Sequence, residues 1–284
     1  MSILKPVHLM RRPVKQSIFA SILIGLGFVL VTCSTNRPSA VHNRDIIWED
    51  NFEGIAGQPP DSSKWSHDIG TGWGNQQKEY DTDKLANASL DGEGNLAIVA
   101  IKESYEDQDY TSARLVTRGK MEFSYGKYEA RIKLPIGAGI WPAFWLLGAN
   151  ISEVGWPLCG EIDIMEYRGH EPAINHGTVH GPGYSGSQGK GRKYKLPNTH
   201  FDTDFHRFSV EWLPDRITWY VDDTQYNSIS PSDLPGDWVF DHPFYMILNI
   251  AVGGTWGGAV DNETIFPQTM LVDYVRVYQI NEKK

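Results

Sequence analysis

Residues 160–169 read "GEIDIMEYRG" and place three carboxylates, Glu161, Asp163 and Glu166, within six positions of an otherwise apolar segment. Side chains on a strand alternate between faces with a period of two, so Glu161 and Asp163 share one face and Ile162 and Ile164 the other. Glu166, five residues from Glu161, belongs by that rule on the opposite side. One extra residue, a β-bulge near Ile164 and Met165, returns it to the acidic face. Three acids on one face repel one another, and like charges side by side destabilise a sheet. Two chemistries compensate. A hard metal ion takes carboxylate oxygens. Glycosidic cleavage needs one carboxylate as nucleophile and one carboxylic acid as proton donor, and repulsion then keeps the donor protonated. An exposed polar face is the bland alternative, but such faces mix signs, and only Arg168 offers nearby compensation.

Working outward, short strand-like runs alternate with turn signals from Ile46 onward: "LAIVAIK" (96–102), "GKYEARIKL" (126–134), "FSVEWL" (208–213), "ITWYVDD" (217–223), "FYMILNIAV" (244–252) and "MLVDYVRVYQI" (270–280). "LPDR" between two of them predicts a hairpin, and "DGEGN" and "VGGTWGG" punctuate others. There is no sustained 3.6-residue apolar period and no internal repeat. The 284 residues are 40% hydrophobic, which suits one large all-β domain, a β-sandwich whose outer face carries a cleft. Ten Trp and 13 Tyr on a polar β-rich chain supply flat stacking surfaces as well as core.

The first 33 residues differ in kind. Lys5, Arg11, Arg12 and Lys15 precede the apolar run Ile18–Val31, too short for a membrane span of about 20 residues. Charge followed by a short apolar core reads as a secretory signal. Residues 34–45, rich in Pro, Ser and Asn, read as a tether, and 46–281 as the folded all-β domain. Beyond residue 33 the chain holds 22 Lys/Arg against 35 Asp/Glu, a net charge of −13, against −9 for the whole. That balance argues against nucleic acid or an anionic membrane surface as partner and suits a neutral substrate. Cys33 and Cys159 are the only cysteines, so no disulfide framework is expected, and C-x-x-C zinc spacing is absent. Cys159, with no His or Asn partner pattern, reads as a small buried residue.

"LVTCST" around Cys33 is similar to the lipobox of bacterial lipoproteins, with Thr32 where that pattern carries Gly, Ala or Ser. The resemblance implies lipidation of Cys33 and a place in the cell envelope, with the membrane reached only through the lipid. An ordinary cleaved signal and an uncleaved anchor are the alternatives. "GEIDIMEYRG" itself resembles the E-I-D-x-x-E signature of glycoside hydrolase family 16 in its laminarinase-like branch. "TGWGNQQKEY" (71–80), "SARLVTRGKMEFSYGKYEARIKLP" (112–135), "GIWPAFWLLG" (139–148), "HGTVHGPGYSG" (176–186) and "ILNIAVGGTW" (247–256) look like laminarinase segments in family order.

The resemblance implies a concanavalin-like jelly-roll β-sandwich with a substrate cleft on its concave sheet. It implies Glu161 as nucleophile, Glu166 as general acid/base, and Asp163 between them, tuning both. Asn75 and Arg114 match positions that hydrogen-bond glucose hydroxyls, and His180 resembles a histidine beside the acid/base. Trp145 and Trp141 are expected to stack sugar and line the cleft, with core packing as the alternative, and Trp256, on the glycine-rich turn "GGTWGG", reads as exposed and sugar-stacking. Trp141 and Trp145, four apart, also share a face by strand alternation. No cofactor is expected for catalysis. A structural Ca²⁺ away from the cleft is implied near Glu49, Gly94 and Asp273, where backbone carbonyls are among the ligands. The expected activity is endo-cleavage of 1,3-β-glucan by double displacement, by a monomeric, exported enzyme with a polysaccharide as its partner. The same chemistry on mixed-linkage glucan, agarose or a transfer acceptor is the near alternative. A metal-dependent lectin of the same shape is the distant one.

Overall fold

The computed structural model describes residues 45–280. The proposed signal, Cys33 and all of the tether but Asp45 lie outside the described residues. Two antiparallel sheets face each other in a jelly-roll β-sandwich. The cleft sheet has seven strands in the order Lys190–Lys195, Ile174–His180, Glu161–Tyr167, Ile140–Gly148, Phe244–Val252, Arg114–Val116 and Ser66–His67. The opposite sheet has eight, with Gly126–Lys133 and Gln268–Tyr278 at its centre. A parallel pair, Glu79–Asp81 with Tyr110–Ser112, stands apart from both.

Each expected strand is present, with bounds shifted by a residue or two. "LPDR" is a two-residue hairpin turn, with Leu213 opposite Arg216. The two described α-helical stretches, Ile151–Val154 and Gly254–Gly257, are single turns, as the absence of a 3.6-residue period requires.

One core joins the sheets. Alternate residues Leu96, Ile98 and Ala100, Tyr128, Ala130 and Ile132, and Phe208, Val210 and Trp212 point inward from the eight-stranded sheet. They meet Phe144, Leu146, Ile162, Met246, Leu248 and Ile250 from the cleft sheet. In Gln268–Tyr278 the inward positions change parity, from Met270 and Val272 to Val275 and Val277. The register shift between Val272 and Tyr274 is what permits it. The strand Glu161–Tyr167 uses the same device.

Candidate active site

Along Glu161–Tyr167 the alternation holds up to Ile164 and then slips. The strand's register with Ile140–Gly148 shifts between Asp163 and Met165, and with Ile174–His180 between Asp163 and Glu166. Ile162, Ile164, Met165 and Tyr167 are all buried in the core, two of them adjacent in sequence. Glu161, Asp163 and Glu166 all line the cleft on the other face. A bulge leaves backbone groups without ladder partners, and such groups must be satisfied elsewhere. Here the indole N–H of Trp219, buried in the opposite sheet, donates to the Asp163 carbonyl across the core at 2.7 Å. The bulge is thus tied to the core at the residue between the two glutamates.

Each carboxylate has its own partners. Trp156 Nε1 donates to Glu161 Oε2 at 2.9 Å. Trp141 Nε1 donates to Glu166 Oε1 at 3.2 Å. His180, paired across the strands with Glu161, places Nε2 at 3.2 Å from Asp163 Oδ2 and 3.7 Å from Glu161 Oε1. Burial first, and then the charge of Asp163, push the Glu161 carboxyl up to about 8, opposed by His180 and the Trp156 N–H. Burial raises Asp163 to about 8, opposed by its hydrogen bond with Glu161. Glu166 is driven well above the carboxylate range by burial and then by the charges of Asp163 and Glu161. Three carboxyls this close cannot all ionise. Glu161 and Asp163 share a hydrogen bond, which accommodates one proton between two groups. Glu166 is repelled by the charge left on that pair and, buried as it is, holds its proton above the ordinary carboxylate range.

The cleft has a volume of about 440 Å³. Arg114 enters it from Arg114–Val116, with its guanidinium 4.9 Å from the Trp73 ring and 4.8 Å from the Trp145 ring. Both indoles are held: Trp73 Nε1 donates to Asp81 Oδ2 at 2.8 Å, and Trp145 Nε1 to Asn249 Oδ1 at 2.9 Å. Asp68 sits 3.5 Å from Arg114 Nε. Asn75 lies at the rim with φ +51°, and its carbonyl accepts from the Thr255 N–H at 2.6 Å. That contact needs glycine at 254, where φ is +89° and a Cβ would meet the Asn75 carbonyl oxygen at 2.7 Å.

Of the residues expected from sequence, Glu161, Asp163, Glu166, Asn75, Arg114, Trp141 and Trp145 come together on the cleft wall, with His180 beside the first two on the neighbouring strand. Trp256 stands one layer away, half-buried, 4.8 Å from the Trp141 ring, 5.0 Å from His176 and 5.1 Å from the Arg168 guanidinium. Glu49 and Asp273 lie elsewhere, and each faces an arginine: Glu49 Oε2 is 3.2 Å from Arg276 Nε, and Asp273 Oδ2 is 2.6 Å from Arg131 Nη1. Gly94 sits in the Asp91–Asn95 turn with φ +84°. Both carboxylates are thus paired with arginines. Among the described residues, the one His/Cys/Asp/Glu group compact enough for an ion is Glu161, Asp163 and His180, with donor atoms within 4.8 Å of one another. Cys159 is buried, and burial and then Glu161 push its thiol up to about 11, which leaves it a poor nucleophile.

Sequence reasoning did not single out Trp73, Asp68, Trp156 or Asn249. Trp73 lay inside the quoted "TGWGN". Trp156, in "GWPLCG" immediately before the acidic strand, had a usable signal: an aromatic beside a proline, five positions ahead of the first acid.

Comparison with known proteins agrees with this geometry. The family profile of glycosyl hydrolases family 16 matches residues 66–276. The chain is 42% identical to a beta-glucanase of Rhodothermus marinus over an alignment 294 positions long that covers 98% of this chain and 98% of that one. It superposes with a TM-score of 0.79 on the laminarinase catalytic domain of Thermotoga maritima, at 49% identity over 84% of this chain and 99% of that one. An endo-beta-1,3-glucanase of Pyrococcus furiosus gives the same TM-score at 51% identity, over 83% and 94%. With that match spanning most of the sandwich and the whole catalytic strand, the chain belongs to glycosyl hydrolases family 16.

Proposed function

We infer that the protein is an endo-acting retaining glycoside hydrolase that cleaves 1,3-β-glucosidic bonds in laminarin-type glucans. The observation that carries this reading is the bulge, which turns Glu161, Asp163 and Glu166 onto one face of a tryptophan-lined cleft. The names of the similar proteins support the linkage. Glu161, with its charge held by the Trp156 N–H and His180, attacks the anomeric carbon. Glu166, kept protonated by burial and by the charge of its neighbours, gives its proton to the leaving oxygen. Glu166 then takes a proton from water as the glycosyl ester on Glu161 is hydrolysed. Asp163 exchanges a hydrogen bond with Glu161, so it steadies the negative charge as Glu161 alternates between carboxylate and ester. Family 16 catalysis needs no cofactor. The test is reducing-end release from a panel of 1,3-, mixed-linkage and galactan polysaccharides. Preferential release from 1,3-glucan is expected, and release from agarose alone would refute it.

The compact Glu161, Asp163 and His180 set is the observation that favours the lectin reading. Sugar binding abolished by a chelator, without turnover, would establish it. We also propose that residues 1–33 export the chain and that Cys33 carries a lipid anchor, a reading that rests on the order of basic residues, apolar run and cysteine. Cys33→Ala should move the protein from the membrane fraction to the soluble one. Retention of that variant in the membrane would overturn the anchor.

A further inference from the structure

The cleft sheet ends in the strand Lys190–Lys195, "KGRKYK", which carries four cations in six residues in a protein of net charge −9. Lys190, Arg192, Lys193 and Lys195 are all exposed. No carboxylate among the described residues forms an ion pair with any of them. Glu171 feels the charge of Lys193, but its ion pair is with Arg168. Among the described residues the strand forms a ladder on one side only, with Ile174–His180.

Register fixes where these charges face. Glu166 lies opposite His176, and His176 lies opposite Lys193. Directly opposed residues on neighbouring strands share a face, so Lys193 is in the same lateral row as the proton donor and on the cleft side. Lys195, two residues on, shares that face. Two strand spacings of about 4.8 Å put the Lys193 backbone about 10 Å from that of Glu166. A polysaccharide lying across the strands therefore passes over this row one or two sugar units from the scissile bond. Arg114 and Trp73 lie on the opposite side of the catalytic strand. Exposed lysines also discourage an edge strand from pairing with another copy. That role does not call for two of them to lie on the sheet face of Glu166, beyond the residues that line the cleft itself.

We propose that the strand Lys190–Lys195 is a subsite for anionic substituents, sulfate or carboxylate, carried on the glucan where it leaves the cleft over this edge. The proposal rests on the reading of the site as a β-glucanase and names a substrate class for it: acidic derivatives of the same backbone. Lysine ammonium groups are mobile point charges, suited to irregularly placed anions, whereas a fixed bidentate site calls for arginine.

The experiment compares kcat/KM on a neutral 1,3-β-glucan with that on the same glucan partly sulfated or partly carboxymethylated, for wild type and for K193E/K195E. Wild type is expected to favour the anionic forms at low salt and to lose that preference at about 1 M salt, where the Debye length is about 3 Å. In K193E/K195E the anionic-to-neutral ratio should fall about fivefold or more, the scale of two exposed ion pairs. The larger of the two anionic ratios identifies the source as sulfate or carboxylate. A salt-independent wild-type preference, or a ratio unchanged in the variant, overturns the proposal, including when the variant merely aggregates more. Binding of wild type to phosphatidylglycerol vesicles, lost in K193E/K195E while the glycan ratio stays fixed, assigns the strand to a membrane and also overturns it. If neither neutral nor anionic glucan is cleaved, the glucanase reading itself fails. Cleavage of neutral glucan with an unmoved ratio removes only the subsite.

Discussion

Replacing Glu161 by glutamine should make the protein more stable at neutral pH while abolishing its activity. The Glu161 carboxyl is raised from 4.5 to about 8, with burial and the Asp163 charge as the main causes. A carboxyl whose folded-state pKa is raised binds its proton more tightly when folded. Its contribution to stability is fully present below the unfolded pKa and is lost as pH rises through the folded one. At pH 7 the unfolded chain has already released the proton, and the window from 4.5 to 7 corresponds to a ceiling of about 3 kcal/mol at about 1.4 kcal/mol per pH unit. The side chain retains 18% exposure in an open cleft, and solvent screening lowers the expected gain to about 1–2 kcal/mol. For a domain of this size that is a rise in Tm of roughly 3–6 °C. Glutamine keeps an oxygen for the Trp156 N–H, so the substitution removes charge and little else. The assay is thermal unfolding of wild type and E161Q from pH 4 to pH 8. The Tm gap should be near zero at pH 4 and open as pH rises. A gap that is absent, negative at pH 7 or independent of pH would refute the assignment of strained charge to Glu161.

Three further outcomes follow from the same geometry. E166A should show a burst of leaving group and then slow turnover on a substrate with a very acidic leaving group, and near-inertness on natural glucan; equal loss on both, without a burst, would move the acid/base role elsewhere. W219F should cost about 1–3 kcal/mol, because the Asp163 carbonyl loses its buried donor, and should lower kcat more than it raises KM; full activity would show that the bulge holds without that bond. The kcat/KM profile should be bell-shaped. Its acid limb, set by Glu161 ionisation, should lie above 4.5, and its alkaline limb should be set by proton loss from Glu166; an acid limb at or below 4.5 would contradict the repulsion.

The parts of the fold legible in the sequence were those governed by local periodicity. Alternation in "LAIVAIK" and "GKYEARIKL" reports a half-buried strand because each residue's face depends only on its neighbours. The bulge was legible for a related reason: Ile164 and Met165 break parity between acids that a shared function needs on one face. Opaque features depend on distant pairing. The Trp219 bond to the Asp163 carbonyl joins residues 56 positions apart on different sheets. The Trp73–Arg114–Trp145 stack needs three segments to converge. Trp256 looked exposed on a glycine-rich turn, yet Trp141, His176 and Arg168 pack around it, because the Gly254 backbone approaches Asn75 closely enough to fold that turn inward. The carboxylates of Glu49 and Asp273 were visible in sequence, but not the arginines that face them across neighbouring strands.

Trapping the covalent intermediate tests the central claim most directly. A fluorinated glucoside with an activated leaving group slows deglycosylation more than glycosylation, so a retaining enzyme accumulates its ester. Peptide mass mapping after such treatment should find one glycosyl group, on the segment spanning residues 160–169 and attached to Glu161. Attachment to Asp163 or Glu166, or steady turnover with inversion at the anomeric carbon and no labelled peptide, would contradict the account.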